Sequence, residues 1–241
     1  MPTQSQTTAK TFVLVHGAWR GGWAWRRVAD LLAARGHRVF APTLTGLGER
    51  SHLMSGSISL ATHVTDIVNV IKWEGLNDIV LCGHSYAGFV ISGVAEQVGD
   101  RIGAIVFVDA FVPASGESLV DITSQATRDN IEGAAARGDI TVPFRPAAFF
   151  GVNEKDQAWM DAMCVPHPLA TMREKIALTG AVARIGKKAY VRAANYPNPG
   201  FDAAHAKVKD DPAWRSYQVP CGHDIMVDMP ERLAEILEEV G

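Results

Sequence analysis

The chain has 241 residues, of which 47% are hydrophobic, which is enough to build the buried core of one large α/β domain. Its 23 Lys and Arg residues nearly balance 26 Asp and Glu residues, and neither sign forms a long run, which argues against a nucleic-acid or acidic-membrane partner. The expected partner is a small neutral molecule, and the sequence indicates no oligomeric state.

The cysteines and the N-terminal segment indicate the cellular compartment of the protein. Cys82, Cys164 and Cys221 are scattered and odd in number, which predicts neither a disulfide framework nor a zinc site. Residues 1–10 lack the charged start and the apolar stretch of a signal peptide, and no apolar run is long enough to span a bilayer. We therefore expect a soluble cytoplasmic protein whose N-terminus, residues 1–10, is flexible.

Apolar runs and helical periodicities alternate along most of the chain. The predicted strands lie at residues 11–15, 37–42, 79–82, 104–108, 189–192 and 214–219. The predicted helices lie at residues 23–34, 60–73, 87–98, 201–207 and 230–240. Such alternation predicts a doubly wound, mostly parallel sheet of about six strands with helices on both faces.

Residues 111–186 do not fit this alternation. Their short amphipathic pieces are interrupted by prolines, at Pro143, Pro146, Pro166 and Pro168. We expect a small helical cap here, inserted between strands of a single domain that spans residues 1–241. Several of its side chains predict an apolar, aromatic-accepting pocket, although packing inside the cap explains them equally well: Phe149, Phe150, Trp159, Met160 and Met163.

The segment from Gly83 to Gly88 follows a predicted strand and opens a predicted helix, with Ser85 at the turn. In such an elbow the strand and helix backbones approach closely, so small residues flank the serine, here Gly83 and Ala87. The strained turn projects the hydroxyl out of the sheet, which makes Ser85 a candidate nucleophile. A serine hydroxyl also needs a base and an orienting carboxylate at neighbouring strand ends.

His223 is the candidate base because it lies between the last predicted strand and the last predicted helix. A loop there can fold back over the carboxyl edge of the sheet, towards the serine. The other histidines lack such a position, and we expect structural or solvated roles for them, with His84 facing away from the serine: His16, His37, His52, His63, His84, His167 and His205.

Two carboxylates compete for the third position. Asp109 directly follows the strand at 104–108, beside the nucleophile's strand, and this position favours it. Asp202 follows the strand at 189–192, the commoner place for the acid in this architecture, but it comes several residues late. Asp224, next to His223, cannot easily reach the ring nitrogen that faces away from the serine. Asp109 is the favoured acid and Asp202 its alternative.

Two backbone N–H groups are expected to form an oxyanion hole for the charge that develops on a carbonyl oxygen. Tyr86, next to the serine, offers one of them. The loop after the first strand offers the other, since Gly17 lets the backbone turn and Ala18 then presents its N–H. Trp19 is expected to form a wall of the pocket. Chemistry of this kind needs no metal or organic cofactor.

Taken together, these motifs resemble the α/β-hydrolases, and within them a small cap-bearing group of plant methyl esterases, hydroxynitrile lyases and bacterial esterases. The resemblance covers nearly the whole chain. It rests on His16-Gly17-Ala18-Trp19, Gly83-His84-Ser85-Tyr86-Ala87-Gly88, Gly222-His223-Asp224 and Pro230-Glu231-Arg232-Leu233-Ala234. It implies that Ser85 and His223 belong to a catalytic triad.

The resemblance also bears on the acid. The sequence departs from the plant enzymes where their acid would fall, because Tyr196 occupies that position. Residues 106–110, in contrast, are similar to haloalkane dehalogenases, which carry the acid after the preceding strand, and this similarity points to Asp109.

The activity implied by the resemblance is that of a carboxylesterase-like serine hydrolase, acting on a small, apolar or aromatic ester, carbamate or amide through an acyl-enzyme. A bacterial esterase that cleaves the carbamate of carbendazim is similar in size and motifs. The alternatives are a hydrolase-like small-molecule receptor and a hydroxynitrile-lyase-type enzyme. Lyases of that group place a lysine after the histidine to hold the cyanide charge, and Asp224 opposes that role. Ser85 excludes the dehalogenase route, which needs a carboxylate nucleophile.

Overall fold

The computed structural model describes residues 9–241. Most of the N-terminal segment that we expected to be flexible, residues 1–8, lies outside the described residues. Lys10 lies inside them, and its backbone N–H donates to His37 Nδ1 at 3.1 Å. Within the described range, no helix combines the length and the apolar character needed to cross a bilayer.

The strands of the described chain are β1 (Thr11–Val15), β2 (Arg38–Phe40), β3 (Ile79–His84), β4 (Ile102–Val108), β5 (Thr141–Val142), β6 (His167–Pro168), β7 (Lys187–Ala193) and β8 (Trp214–Val219). The helices are α1 (Arg26–Ala34), α2 (Leu60–Trp73), α3 (Ala87–Val98), α4 (Leu119–Ile122), α5 (Gln125–Ala136), α6 (Glu154–Met163), α7 (Leu169–Arg173), α8 (Ala181–Arg184), α9 (Pro199–Val208), α10 (Ile225–Asp228) and α11 (Pro230–Val240).

Six strands form one parallel sheet in the order β2-β1-β3-β4-β7-β8, which confirms the predicted sheet. Its central strands read as continuous apolar runs because helices cover both faces of the sheet. The register pairs Val15 with Gly83, and Val108 with both His84 and Val191. The carboxyl ends of β1, β3, β4 and β7 therefore lie level at one edge, and the loops that leave this edge meet there.

The structure shifts several predicted boundaries. The helix predicted at 23–34 begins as a separate 3-10 turn, Gly22–Trp25, before α1 starts. The second strand is shorter than predicted because it is an edge strand that pairs only with β1. Strands β4 and β7 are longer than predicted, since each pairs with a neighbour on both sides.

The chain between β4 and β7 folds into α4 to α8 and a small antiparallel pair of strands, β5 and β6. Val142 pairs with His167 in this two-stranded sheet. The pair could not be predicted because two residues are too few for an alternating pattern, and Pro168 argues against a strand. The segment also contacts the loops at the carboxyl edge of the main sheet, since Val165 N–H donates to the Trp19 carbonyl at 3.1 Å.

Candidate active site

Ser85 lies in a sharp turn between β3 and α3 and has a φ of +56°. This left-handed conformation is costly for a residue with a side chain, so the surroundings must hold it. Its N–H donates to the Val108 carbonyl at 3.2 Å, and its own carbonyl accepts from Gly88 and Phe111 at 3.1 and 3.2 Å. The turn also needs Gly83, because a Cβ there would lie 2.9 Å from the Ala87 carbonyl oxygen.

His223 is the hydrogen-bond partner of the serine side chain, with Nε2 2.9 Å from Ser85 Oγ. The residue is buried, and its backbone N–H donates to the Phe150 carbonyl at 2.9 Å. Its ring stacks on Phe201, with centroids 4.9 Å apart and planes inclined by 13°. Backbone and ring contacts together hold the imidazole in an orientation in which Nε2 faces Ser85 and Nδ1 faces a carboxylate.

Asp109 is the carboxylate that contacts this imidazole. Its Oδ2 accepts the hydrogen bond from His223 Nδ1 at 2.6 Å, and the side chain is completely buried. The residue directly follows β4, has a φ of +41° and donates its N–H to the Val191 carbonyl at 2.7 Å. The second oxygen, Oδ1, accepts from Ala193 N–H at 3.1 Å and from Arg192 Nη1 at 2.7 Å. The three hydrogen bonds to its oxygens favour a single orientation of the carboxylate, and the backbone bond holds the turn that carries it.

Asp202, the alternative acid, lies on the far side of a buried arginine. Its side chain is 60% exposed and binds Arg192 Nη2 at 2.7 Å. Arg192 thus bridges the two aspartates, and it also donates to the carbonyls of Ala193 and Tyr196, both at 2.6 Å. Burial opposes the charge of Arg192, but Asp109 and Asp202 together hold its pKa above the ordinary value. The structure brings Asp109 to His223 and keeps Asp202 away from it.

Arg192 was missed by the sequence reasoning, although the sequence contains a signal for it. A charged residue inside a buried parallel strand needs a partner, because an unpaired charge is costly in the interior. Arg192 lies in β7 and is only 5% exposed. The presence of Arg192 in a buried strand therefore indicates that a carboxylate lies beside β7.

A second buried ion pair lies on the other side of the loop that joins β8 to α10 and carries His223, which we call the histidine loop. Asp224 accepts from Arg20 Nε at 3.2 Å and from Arg20 Nη2 at 3.0 Å. Burial alone would raise the pKa of Asp224, but Arg20 lowers it to about 2. Because Arg20 follows Trp19 and Asp224 follows His223, this pair ties the loop after β1 to the histidine loop.

His84 supports the same loop from within the elbow. Its Nε2 donates to the His223 carbonyl at 3.1 Å, and the two ring centroids are 4.4 Å apart. Burial holds the pKa of His84 well below its usual value, so the ring is neutral. Among the described residues, its side chain thus hydrogen-bonds to the His223 backbone and not to the serine hydroxyl.

The two expected oxyanion donors lie in the wall of the same pocket. Ala18 and Tyr86 both line it beside Ser85 and His223. Among residues 9–241, neither backbone N–H has a hydrogen-bond acceptor. Both donors are therefore available to an oxygen atom bound next to Ser85.

The pocket itself is mostly apolar and aromatic. Its remaining lining residues are Trp19, Phe111, Leu119, Thr123, Thr127, Phe150, Met172, Tyr196, Asn198 and Phe201. Of the six residues that we expected in the pocket, Trp19 and Phe150 line it, and Phe149, Trp159, Met160 and Met163 do not. Met160 is buried elsewhere in the cap, and Trp159 packs edge-on against Trp23 with centroids 5.1 Å apart.

Phe149 is also outside the pocket, where it is 40% exposed and lies under the Arg145 guanidinium. Its neighbour Phe150 points inward instead and lines the pocket. Both residues belong to one 3-10 turn, Ala147–Phe150, in which adjacent side chains point in different directions. The turn is too short for a periodic pattern, so the sequence could not tell which of the two faces the serine.

Comparisons with known proteins agree with one another on the family of this chain. The model of a family described as the alpha/beta hydrolase family matches residues 12–236. A carbendazim hydrolyzing esterase from Nocardioides sp. (strain SG-4G) is 39% identical over 241 residues, which cover 95% of this chain and 99% of that protein. The putative chloroplastic methylesterase 13 of Arabidopsis thaliana is 26% identical over 96% of this chain and 56% of its own length.

A solved structure is similar over almost its entire length. It is an extracellular alpha/beta-hydrolase from a Paenibacillus species, described as sharing structural and functional homology with tobacco salicylic acid binding protein 2. The TM-score is 0.83 and the identity 27%, with 96% of this chain and 99% of the other covered.

Proposed function

Because this chain belongs to the alpha/beta hydrolase family, we propose that it is a serine hydrolase that cleaves small carboxylic esters, carbamates or amides. The observation that carries the proposal is the continuous relay from Ser85 Oγ through His223 to Asp109, with contacts of 2.9 and 2.6 Å. A nucleophile, a base and an orienting carboxylate in this geometry are the groups that acyl transfer requires.

The proposed reaction begins when Ser85 Oγ attacks the acyl carbon and His223 Nε2 takes the hydroxyl proton. Asp109 stabilises the imidazolium through the hydrogen bond to Nδ1. The N–H groups of Ala18 and Tyr86 bind the tetrahedral oxyanion, and each such donor commonly lowers the barrier by about 3 kcal/mol. His223 then gives its proton to the leaving alcohol or amine, and the acyl group stays on Ser85.

Deacylation repeats these steps with water. His223 removes a proton from a water molecule, which attacks the acyl carbon, and the second tetrahedral oxyanion uses the same two N–H donors. Collapse of this intermediate releases the carboxylic or carbamic acid and returns the proton to Ser85. Protein groups and water supply every step of this scheme.

The proposed substrate is small and carries an apolar or aromatic group. Phe111, Phe150 and Phe201 line the pocket and favour such a group, while a few polar side chains, Thr123, Thr127 and Asn198, can orient it. The relative named carbendazim hydrolyzing esterase aligns over nearly the whole of both chains. We therefore include carbendazim, a carbamate, among the substrates to be tested.

The residue after the histidine supports hydrolysis over cleavage of a cyanohydrin. Asp224 is completely buried, and both of its carboxylate oxygens bind Arg20. It is not among the described residues that line the pocket. A negative charge at this position gives no stabilisation to a departing cyanide ion, which would need a cation beside His223.

The proposal is tested by labelling with a fluorophosphonate, together with turnover of carbendazim and a panel of p-nitrophenyl esters. Wild type should label rapidly, and Ser85→Ala should lower turnover by about a millionfold, the scale of loss of a triad nucleophile. Ser92→Ala is the matched control, because Ser92 is buried in α3 and, within residues 9–241, its hydroxyl bonds only the Gly88 carbonyl.

Two results would contradict the proposal. Near-wild-type turnover by Ser85→Ala would show that another group performs the chemistry. Slow labelling and poor turnover by wild type over the whole panel would instead favour a small-molecule receptor that keeps a triad.

A further inference from the structure

Trp19, one residue after the proposed oxyanion donor Ala18, has a φ of +65°. A bulky side chain rarely adopts this left-handed conformation, so neighbouring groups must stabilise it. The neighbours that do so come from the cap. Trp19 N–H donates to His167 Nδ1 at 3.3 Å, its indole Nε1–H donates to the Val142 carbonyl at 3.0 Å, and its carbonyl accepts from Val165 N–H at 3.1 Å.

The contacts of Trp19 converge on the small antiparallel pair β5 and β6. Val142 and His167 are paired residues of these two strands, so the backbone and the indole of Trp19 are bound by one rigid unit. With its N–H and its carbonyl both engaged, Trp19 has little freedom to change φ or ψ. The Ala18–Trp19 peptide plane is thereby fixed, which restrains the ψ angle of Ala18. The Ala18 N–H belongs to the preceding Gly17–Ala18 peptide, whose carbonyl accepts from His16 Nδ1 at 2.8 Å.

The ring of His167 is held in one protonation state. Because Nδ1 accepts from Trp19, the ring proton lies on Nε2, which donates to Thr171 Oγ1 at 2.8 Å. The Thr171 hydroxyl in turn donates to the Pro168 carbonyl at 2.8 Å. Burial lowers the pKa of His167 well below its usual value and keeps the ring neutral. Nδ1 is therefore a permanent acceptor for the Trp19 N–H.

The same ring contacts the residue that bears the other oxyanion donor. Tyr86 and His167 pack edge to face, with centroids 4.7 Å apart and planes inclined by 74°. His167 is completely buried and is not among the described residues that line the pocket. It therefore does not line the space open to a substrate, and its contacts towards the expected oxyanion hole are those to Trp19 and Tyr86.

We propose that His167 is a positioning residue that sets the geometry of the oxyanion hole, so that the cap completes the catalytic site as well as covering it. The inference rests on the proposed hydrolase function. An oxyanion donor must lie about 2.7–3.1 Å from the developing charge, and a misplacement of about 1 Å costs on the order of a hundredfold in rate. Loss of the His167 acceptor frees the Ala18–Trp19 peptide and so removes a restraint on Ala18, the residue that carries the donor N–H.

The test compares His167→Leu, which removes the acceptor, with His167→Asn, whose side-chain oxygen lies near the place of Nδ1. Both are assayed with a p-nitrophenyl ester, and against a trifluoromethyl ketone, which adds to the serine and forms an oxyanion. For His167→Leu we expect kcat to fall about a hundredfold, the inhibition constant to rise by a similar factor and KM to stay within about threefold. His167→Asn should recover kcat to within about tenfold of wild type.

His37→Leu is the matched control. His37 is also a buried histidine whose Nδ1 accepts a backbone N–H, from Lys10 at 3.1 Å. It precedes β2 and therefore lies at the amino edge of the parallel sheet, opposite Ser85. Its replacement should lower Tm but leave kcat and the inhibition constant within about twofold of wild type.

If His167→Leu folds by circular dichroism and keeps kcat within threefold of wild type, the inference is wrong. A rise in KM with unchanged kcat would also overturn it, because this result indicates a pocket-lining role. If His167→Leu does not fold, Thr171→Val replaces it. Loss of the hydrogen-bond partner of His167 Nε2 should lower kcat about tenfold, and an unchanged kcat would refute the inference. Wild type without turnover or labelling would overturn the proposed function, and the inference with it.

Discussion

Replacement of Asp109 by asparagine, with Asp202→Asn as its matched control, tests which carboxylate serves the histidine. Asp109 Oδ1 accepts from both Arg192 Nη1 and Ala193 N–H, whereas Oδ2 faces His223 Nδ1. An amide in this place must direct its oxygen to the two donors, so its NH₂ group faces the imidazole. The ring would then have to accept at Nδ1 and carry its proton on Nε2, where it cannot take the proton of Ser85.

The expected loss follows from this wrong tautomer. In the Ser-His-Asp template the same replacement lowers kcat about ten-thousandfold, which corresponds to about 5 kcal/mol of barrier. Asp202, in contrast, is 60% exposed, so water screens its contact with the buried Arg192. Such pairs contribute at most about 1 kcal/mol to stability, so Asp202→Asn should keep kcat within a few-fold of wild type.

The assay is the pH dependence of kcat and kcat/KM for a p-nitrophenyl ester, with Tm measured for each variant. Asp109→Asn also removes the negative charge that pairs with the buried Arg192, which lowers the free energy of unfolding by about 3 kcal/mol. The rates are therefore compared at a temperature where all variants are folded. If Asp109→Asn retains kcat within tenfold of wild type, or if Asp202→Asn loses as much as Asp109→Asn, the assignment of the acid is wrong.

Two further predictions concern stability. Asp224→Asn leaves Arg20 buried and unpaired, so urea unfolding should show a loss of about 3–5 kcal/mol, most of which Arg20→Met should restore in the double variant; additive losses would contradict the pairing. Burial lowers the pKa of His16 to about 3 and of His63 to about 4, and holds His84 and His167 well below 6.5. As the pH falls below about 6.5 the unfolded chain takes up these protons before the folded chain does, so stability that is fully present above that pH is lost. His16 and His63 alone account for a loss of about 2.5 kcal/mol per pH unit near pH 5, and a free energy of unfolding that is constant from pH 7 to 5 would refute this.

The sequence predicted those parts of the site that depend on local pattern. A run of apolar residues ending in a small-residue turn identified β3 and the elbow at Ser85, because both patterns lie within about ten residues of one another. The alternation of strands and helices then predicted a parallel sheet, whose carboxyl edge collects the loops of residues distant in the chain. This edge is where the structure brings Ser85, His223 and Asp109 together.

The parts that the sequence could not predict depend on packing between distant segments. His167 lies 148 residues from Trp19, and Asp224 lies 204 residues from Arg20, so no local pattern links the members of either pair. The pocket wall was predicted only in part, for a different reason. Phe149 and Phe150 are equally apolar, and only the path of one short turn decides which of them faces the serine.

The position of Asp109, the proposed acid, also follows from the placement of buried charges. A completely buried carboxylate needs compensation, because desolvation of an isolated charge is costly. Arg192, near the end of β7, supplies that compensation at 2.7 Å from Asp109, while leaving the other carboxylate oxygen free for His223. Arg20 does the same for Asp224 on the opposite side of the histidine loop. His223 thus lies between two buried arginine–aspartate contacts, and the strand that would more commonly carry the acid carries its counter-ion instead.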